Sequence, residues 1–215
     1  MAMNLSMELA KVKEAFLSRA PKEVIESVEL ATEELIHSGL ATGLRVGEKA
    51  PDFLLPNAIG ERISLYEQLE KGPVVLTFYR GGWCPYCNLE LRAYQNVLNK
   101  IQAAGATLMA ISPQKPDVSL STTEKNELSF EVLSDDTYET IKAYNLYFTF
   151  PEHLIRTYSD KFNINLAEIN GSDKPWSLPI PGTFIIDQDG KVIFASSDAD
   201  YMERLDPSEV VNFLK

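Results

Sequence analysis

The 215-residue chain carries 20 Lys and Arg against 31 Asp and Glu, a formal net charge of −11, with 45% hydrophobic and 24% charged residues. That balance fits a folded chain with one main core and excludes a disordered one; its acidity argues against nucleic acid and anionic membranes as partners, both of which attract basic patches. No apolar run approaches the ~20 residues needed to cross a bilayer, and the opening Met1-Ala2-Met3-Asn4-Leu5-Ser6 lacks the pattern of a signal peptide, so a cytoplasmic protein is expected.

Residues 1–42 read as an N-terminal helical extension. Leu9, Val12, Ala15 and Phe16 share one face of a first helix; Pro21 opens a second through Val24, Ile25, Val28, Ala31 and Leu35, and Gly39 closes it. These helices are expected to pack on the core or to form a homodimer contact. Residues 43–215 read as an α/β domain. Short strands at 51–55 and 62–65 flank a turn at Asn57 to Gly60. Pro73 to Tyr79 is a nearly continuous apolar, β-branched and aromatic run, the signature of a strand buried on both faces.

A helix is predicted over 85–104, with Leu91, Tyr94, Val97, Leu98 and Ile101 at helical spacing and Gly105 as its stop. Strands at 106–112 and 131–133 alternate with helices at 117–128 and 137–145, an order whose crossovers are right-handed. Residues 147–177 are less regular and read as an insertion, with a helix at 151–162 and a turn at 171–175. A hairpin follows, 182–186 and 191–196, joined by Asp187-Gln188-Asp189-Gly190, and Pro207 opens a last helix.

The only two cysteines lie within Trp83-Cys84-Pro85-Tyr86-Cys87, between the buried strand and the long helix. Free N–H groups and the dipole of a helix N-terminus favour a thiolate there, and two intervening residues let one sulfur attack a substrate while the other closes a disulfide. A zinc site needs about four ligands, and His37 and His153 do not cluster with the cysteines in sequence; no metal or cofactor is expected. Trp83 and Tyr86 flank the thiols and are candidates for a substrate-docking surface, with simple packing as the alternative. Asp200-Tyr201 and Arg204 precede the last helix, and nothing in the sequence places them at the site.

Val46-Gly47-Glu48-Lys49-Ala50-Pro51-Asp52-Phe53, Phe78-Tyr79 with the following cysteines, and Gly182-Thr183-Phe184-Ile185-Ile186-Asp187 with Asp189-Gly190-Lys191-Val192 together resemble the peroxiredoxin family, also called alkyl hydroperoxide reductase/thiol-specific antioxidant. The resemblance implies a thioredoxin-like fold: a central mixed β-sheet flanked by helices, here with the N-terminal helical extension. Laying the family's Pro-x-x-x-Thr-x-x-Cys motif on Phe78-Tyr79 puts its peroxidatic cysteine on Cys87, Arg80 at the proline and Cys84 at the threonine. The family's arginine before the late strand is replaced by Pro181. Pro179-Ile180-Pro181-Gly182-Thr183 resembles instead the thioredoxin pattern, which implies a cis-proline facing the Cys-x-x-Cys and docking substrate.

With the threonine and arginine gone, Arg80, Arg92 or Arg204 is left to supply a cation for the breaking O–O bond. Glu90 falls on a glutamate that often follows the peroxidatic cysteine, and the helix dipole explains it equally well. The resemblance implies an antioxidant oxidoreductase, a thiol peroxidase that reduces a hydroperoxide through a sulfenic acid and an intramolecular disulfide, recycled by a thioredoxin- or glutathione-type thiol donor. The alternative is a protein disulfide oxidoreductase with Cys84 as the attacking thiol, and a third possibility is a binding protein with inert cysteines.

Overall fold

The protein is described from a computed structural model over residues 4–170 and 176–215. The turn expected at 171–175 lies outside the described residues, as do the first three residues.

Helix α1 (Leu5–Arg19) begins where Asn4 Oδ1 accepts from the Met7 amide at 3.1 Å, and α2 (Lys22–Ser38) ends at Gly39 in the left-handed region, φ 66°. β1 (Leu54–Pro56) and β2 (Arg62–Ser64) form an antiparallel hairpin. The chain does not continue as strand through Leu65: Ser64 Oγ accepts from the Glu67 amide at 3.3 Å and caps α3 (Leu65–Leu69). Then come β3 (Val74–Phe78), α4 (Pro85–Ala103), β4 (Thr107–Ser112), α5 (Pro116–Asn126), β5 (Glu131–Ser134) and α6 (Glu139–Ala143). Within the irregular stretch lie β6 (Tyr147–Thr149), α7 (Glu152–Arg156), a π-helical turn (Thr157–Lys161), α8 (Leu166–Asn170) and β7 (Ser177–Pro179); β6 and β7 pair antiparallel. The hairpin β8 (Gly182–Ile186) and β9 (Val192–Ser197) precedes α9 (Pro207–Phe213).

The main sheet has the order β5-β4-β3-β8-β9, with β3, β4 and β5 parallel and β8 and β9 antiparallel to their neighbours. It is the mixed, helix-flanked sheet the sequence implied. β3 is central and wholly buried, and its alternation sorts the core: Val75 faces a cluster with α1, α4 and α9, while Val74, Leu76 and Phe78 face a second cluster on the other side. Each such side chain contributes roughly 1.5–3 kcal/mol by leaving water.

The N-terminal helices join the first of these faces. Leu5 and Leu9 of α1 are buried in the cluster that contains α4. α2 is tied to the 147–177 stretch by Thr157 Oγ1 donating to Ser27 Oγ at 2.8 Å, by His153 Nε2 against Glu34 at 3.2 Å, and by Lys161–Glu23 at 2.7 Å. Among the described residues no helix is long and apolar enough to cross a membrane.

Candidate active site

β3 delivers the chain to the redox segment. The Tyr79 amide still bonds Ile111 O at 3.0 Å, and five residues later Cys84 stands as N-cap of α4 with Pro85 at the first helical position, where its missing N–H costs nothing. The intervening loop is held from several sides. Gln114 Oε1 accepts from the Gly82 amide at 2.7 Å, Asn88 Nδ2 donates to Gly82 O at 2.8 Å and to Cys84 O at 3.1 Å, and Asn126 Nδ2 donates to Asn88 Oδ1 at 2.9 Å. A Cβ on Gly82 would meet Thr122 Oγ1 at 2.2 Å, so glycine lets the loop approach α5.

Both thiols are buried, Cys84 at 1% exposure and Cys87 at 0%, yet their environments drive them apart. Burial alone would push the Cys84 thiol up; a hydrogen bond with Cys87 and the positive charges of Arg80 and Arg204 outweigh it and hold this thiol below the ordinary range. Burial, the hydrogen bond with Cys84 and the negative charge there push Cys87 up. These directions favour the thiolate at Cys84 and the thiol at Cys87 in the reduced pair.

Arg80 is buried at 2% exposure in an aromatic box: its guanidinium carbon lies 3.9 Å from the ring centre of Tyr201, 5.2 Å from that of Trp83 and 5.6 Å from that of Tyr158, and Nη2 donates to the Tyr158 hydroxyl. Aromatic faces offset part of the cost of burying this cation. On the other side of the pair, Arg204 Nη2 approaches Cys87 Sγ at 3.6 Å, and its Nε lies 2.8 Å from Glu90 Oε2, an ion pair without the alignment of a hydrogen bond. Burial pushes the Glu90 carboxyl up to about 7, with Arg204 pulling it down and Cys87 adding to the rise.

Cys84, Arg80, Trp83 and Tyr86 line one cavity of about 300 Å³, which Tyr158, Tyr201 and residues of α1 complete. Arg80 Nε and the Tyr86 hydroxyl, on two of these lining residues, are buried without a hydrogen-bond partner. The structure thus brings together Arg80, Trp83, Cys84 and Tyr86 as the sequence reading expected, with Cys87 hydrogen-bonded to Cys84. Pro181 is placed otherwise. No peptide bond among the described residues is cis, and Pro181 lines a separate cleft beside Glu90 and Arg204. The expected cis bond is corrected to trans, the state an X–Pro bond prefers by about 0.5–1 kcal/mol. The Ile180 amide bonds Leu146 O at 2.9 Å and β8 starts at Gly182, so an extended chain runs from β7 into β8 and no turn requires the other isomer. Arg92 is likewise not at the sulfurs; it donates to Asn126 Oδ1 at 2.8 Å.

Tyr158, Val12 and Phe16 escaped the sequence reading as site residues, Tyr201 was noted without a place, and Arg204 was named only as one of three candidate cations. Arg204 lies 117 residues from Cys87, and no local pattern announces such a contact. Among the described residues no three His, Cys, Asp or Glu side chains gather as a metal would require.

Residues 46–195 match the AhpC/TSA family model. The chain belongs to the AhpC/TSA family. It is 29% identical over 154 residues to the putative peroxiredoxin Rv2521 of Mycobacterium tuberculosis (strain ATCC 25618 / H37Rv), covering 72% of this chain and 85% of that protein. It is also 26% identical over 151 residues to the thiol-disulfide oxidoreductase ResA of Bacillus cereus (strain ATCC 10987 / NRS 248), covering 70% and 68%. In fold it is similar to the crystal structure of peroxidoxin BcpB from Mycobacterium tuberculosis, with a TM-score of 0.62 at 21% identity over 80% of this chain and 96% of that one. The chain is accordingly a peroxiredoxin-like oxidoreductase of the thioredoxin superfamily.

Proposed function

We propose that the protein is a thiol-dependent peroxidase in which Cys84 is the attacking sulfur and Cys87 the resolving one. The observation that carries the reading is that Cys84 lines a cavity beside Arg80 whereas Cys87 is closed off, and the surrounding charges favour the thiolate at Cys84 and the thiol at Cys87. The motif register alone pointed to Cys87; the charges favour Cys84.

The Cys84 thiolate attacks the terminal oxygen of R–O–O–H, forming an S–O bond as the O–O bond breaks, and leaves Cys84–SOH and RO⁻, which takes up a proton to become ROH. Arg80 Nε and the Tyr86 hydroxyl, buried donors without acceptors on two residues that line the cavity, are suited to the developing oxyanion, the task of the family's absent threonine and arginine. The Cys87 sulfur then attacks Cys84–SOH, expelling hydroxide that leaves as water with the Cys87 proton, and a disulfide results. A thioredoxin- or glutathione-type thiol donor returns two electrons and two protons by thiol–disulfide exchange. A cytoplasmic location belongs to this reading, supported by the lack of spaced cysteines for structural disulfides.

Stopped-flow Trp fluorescence of the reduced protein mixed with peroxide tests it, because Trp83 adjoins Cys84 in the chain. A second-order rate far above that of free cysteine is expected, and a rate no faster than free cysteine overturns it. The likeness to ResA favours disulfide oxidoreduction as the second reading; rapid reduction of a protein disulfide together with inertness to peroxide would select it.

A further inference from the structure

Three residues that line the cavity at Cys84, Val12, Phe16 and Tyr201, lie outside the family-matched residues 46–195. Val12 and Phe16 come from α1, and Tyr201 from the segment before α9; Phe162 and Ile164 come from the 147–177 stretch. The α1 contribution follows from a single apolar stripe. Leu5, Leu9, Val12 and Phe16 fall on one helix face; Leu5 and Leu9 are buried in the core, and the next two members of the stripe reach the cavity. Lys13 fastens the same helix to the segment carrying Tyr201, lying 2.8 Å from Glu203 and 3.3 Å from Asp200. Phe16 and Phe162 meet edge-on at 6.2 Å, and Phe162 meets Tyr158 at 5.1 Å, so the wall is continuous from α1 to the Arg80 box.

The shape and chemistry are those of an amphipathic guest. Arg80 and the Cys84 thiolate supply the charge, and the α1 side is aliphatic and aromatic. A volume of about 300 Å³ is roughly ten times the ~30 Å³ that a water molecule occupies in the liquid. Hydrogen peroxide would leave most of it to solvent against an apolar wall, whereas a hydroperoxide of about ten non-hydrogen atoms fills it.

We infer that α1 is a specificity wall, and that the pocket selects hydroperoxides with a bulky apolar carbon skeleton, aromatic or branched, over hydrogen peroxide. The inference rests on Cys84 being the peroxide-reactive thiol. The reaction is the one written above, with the apolar group leaving as the alcohol; Val12 and Phe16 hold that group and touch no reacting atom.

The test compares kcat/KM for cumene hydroperoxide, tert-butyl hydroperoxide and hydrogen peroxide in the full chain, with dithiothreitol as reductant. Values are expected to fall in that order, with cumene hydroperoxide favoured over hydrogen peroxide by roughly tenfold or more, since even one methylene in an apolar pocket is worth about 10–200-fold. Val12→Phe, which narrows the pocket, should lower the cumene-to-hydrogen-peroxide ratio by about tenfold, and the milder Phe16→Leu should lower it less. Ile36→Phe, on the exposed face of α2, should leave the ratio unchanged. Equal kcat/KM for the three peroxides in the wild type, or a ratio that Val12→Phe and Phe16→Leu do not move, overturns the inference alone. Failure to consume any of the three overturns the peroxidase reading and the inference with it.

Discussion

Glu90→Gln probes the buried charge behind Cys87. The rise of the Glu90 carboxyl from 4.5 to about 7 means that, between those pH values, the folded protein keeps a proton that the unfolded chain has released. Burial is the main cause, and Arg204 opposes it. Stability therefore falls as pH rises through this window, because the unfolded state binds fewer protons there. At about 1.4 kcal/mol per pH unit the full loss is about 3 kcal/mol, of which about 2.5 kcal/mol falls between about pH 5 and about pH 8. The Cys84 thiol acts with the opposite sign: its folded value lies below the unfolded one, so its contribution is present at high pH and is lost as pH falls through the folded value. Both proteins keep that thiol, and the wild-type-minus-variant difference isolates the carboxyl. Urea unfolding of the reduced proteins across that range should show the wild type losing about 2.5 kcal/mol relative to Glu90→Gln. Parallel pH profiles would refute the raised carboxyl.

Arg80→Met removes a cation that holds the Cys84 thiol down; thiolate absorbance in the ultraviolet should titrate at higher pH, with alkylation at mildly acidic pH slowed by roughly tenfold or more. Superimposable titrations would show that Arg80 does not act on the sulfur. Leu9→Ala, in the buried part of the α1 stripe, should cost about 2–5 kcal/mol in urea unfolding, and a loss too small to measure would contradict the packing of α1 on α4. Gly82→Ala sets a Cβ against Thr122 and is expected to cost about 1–3 kcal/mol and to slow the reaction with peroxide; wild-type stability and rate together would contradict the close approach of the loop to α5.

What the sequence revealed, and what it hid, divides by the range of the interactions. β3 was readable because every one of its residues is buried and apolar or β-branched, and α4 because its apolar positions recur at helical spacing. The β8–β9 hairpin carried its own turn chemistry in Asp189-Gly190, with Gly190 at φ 75°. α3 was hidden because its start depends on the Ser64 side chain turning back to cap it. The β6–β7 pair was hidden because it joins two three-residue strands across a long excursion, one of them ending in Pro179. At the site, the Cys-x-x-Cys string and its neighbours Arg80, Trp83 and Tyr86 are local and were found. Tyr158, Tyr201 and Arg204 join the site only through tertiary packing, and the α1 stripe showed which face would be buried but not that its second half would wall a cavity.

The division of labour between the sulfurs is most directly tested by trapping the first oxidation product. Reduced Cys87→Ser and Cys84→Ser proteins are each mixed with one equivalent of peroxide in the presence of dimedone, which captures sulfenic acid, and the peptide spanning Cys84 and Cys87 is read by mass spectrometry. Cys87→Ser should form the adduct on Cys84 at the wild-type rate of peroxide loss, and Cys84→Ser should consume peroxide no faster than free cysteine. An adduct on Cys87 in Cys84→Ser, with Cys87→Ser inert, would reverse the roles and contradict the assignment of Cys84 as the attacking thiolate.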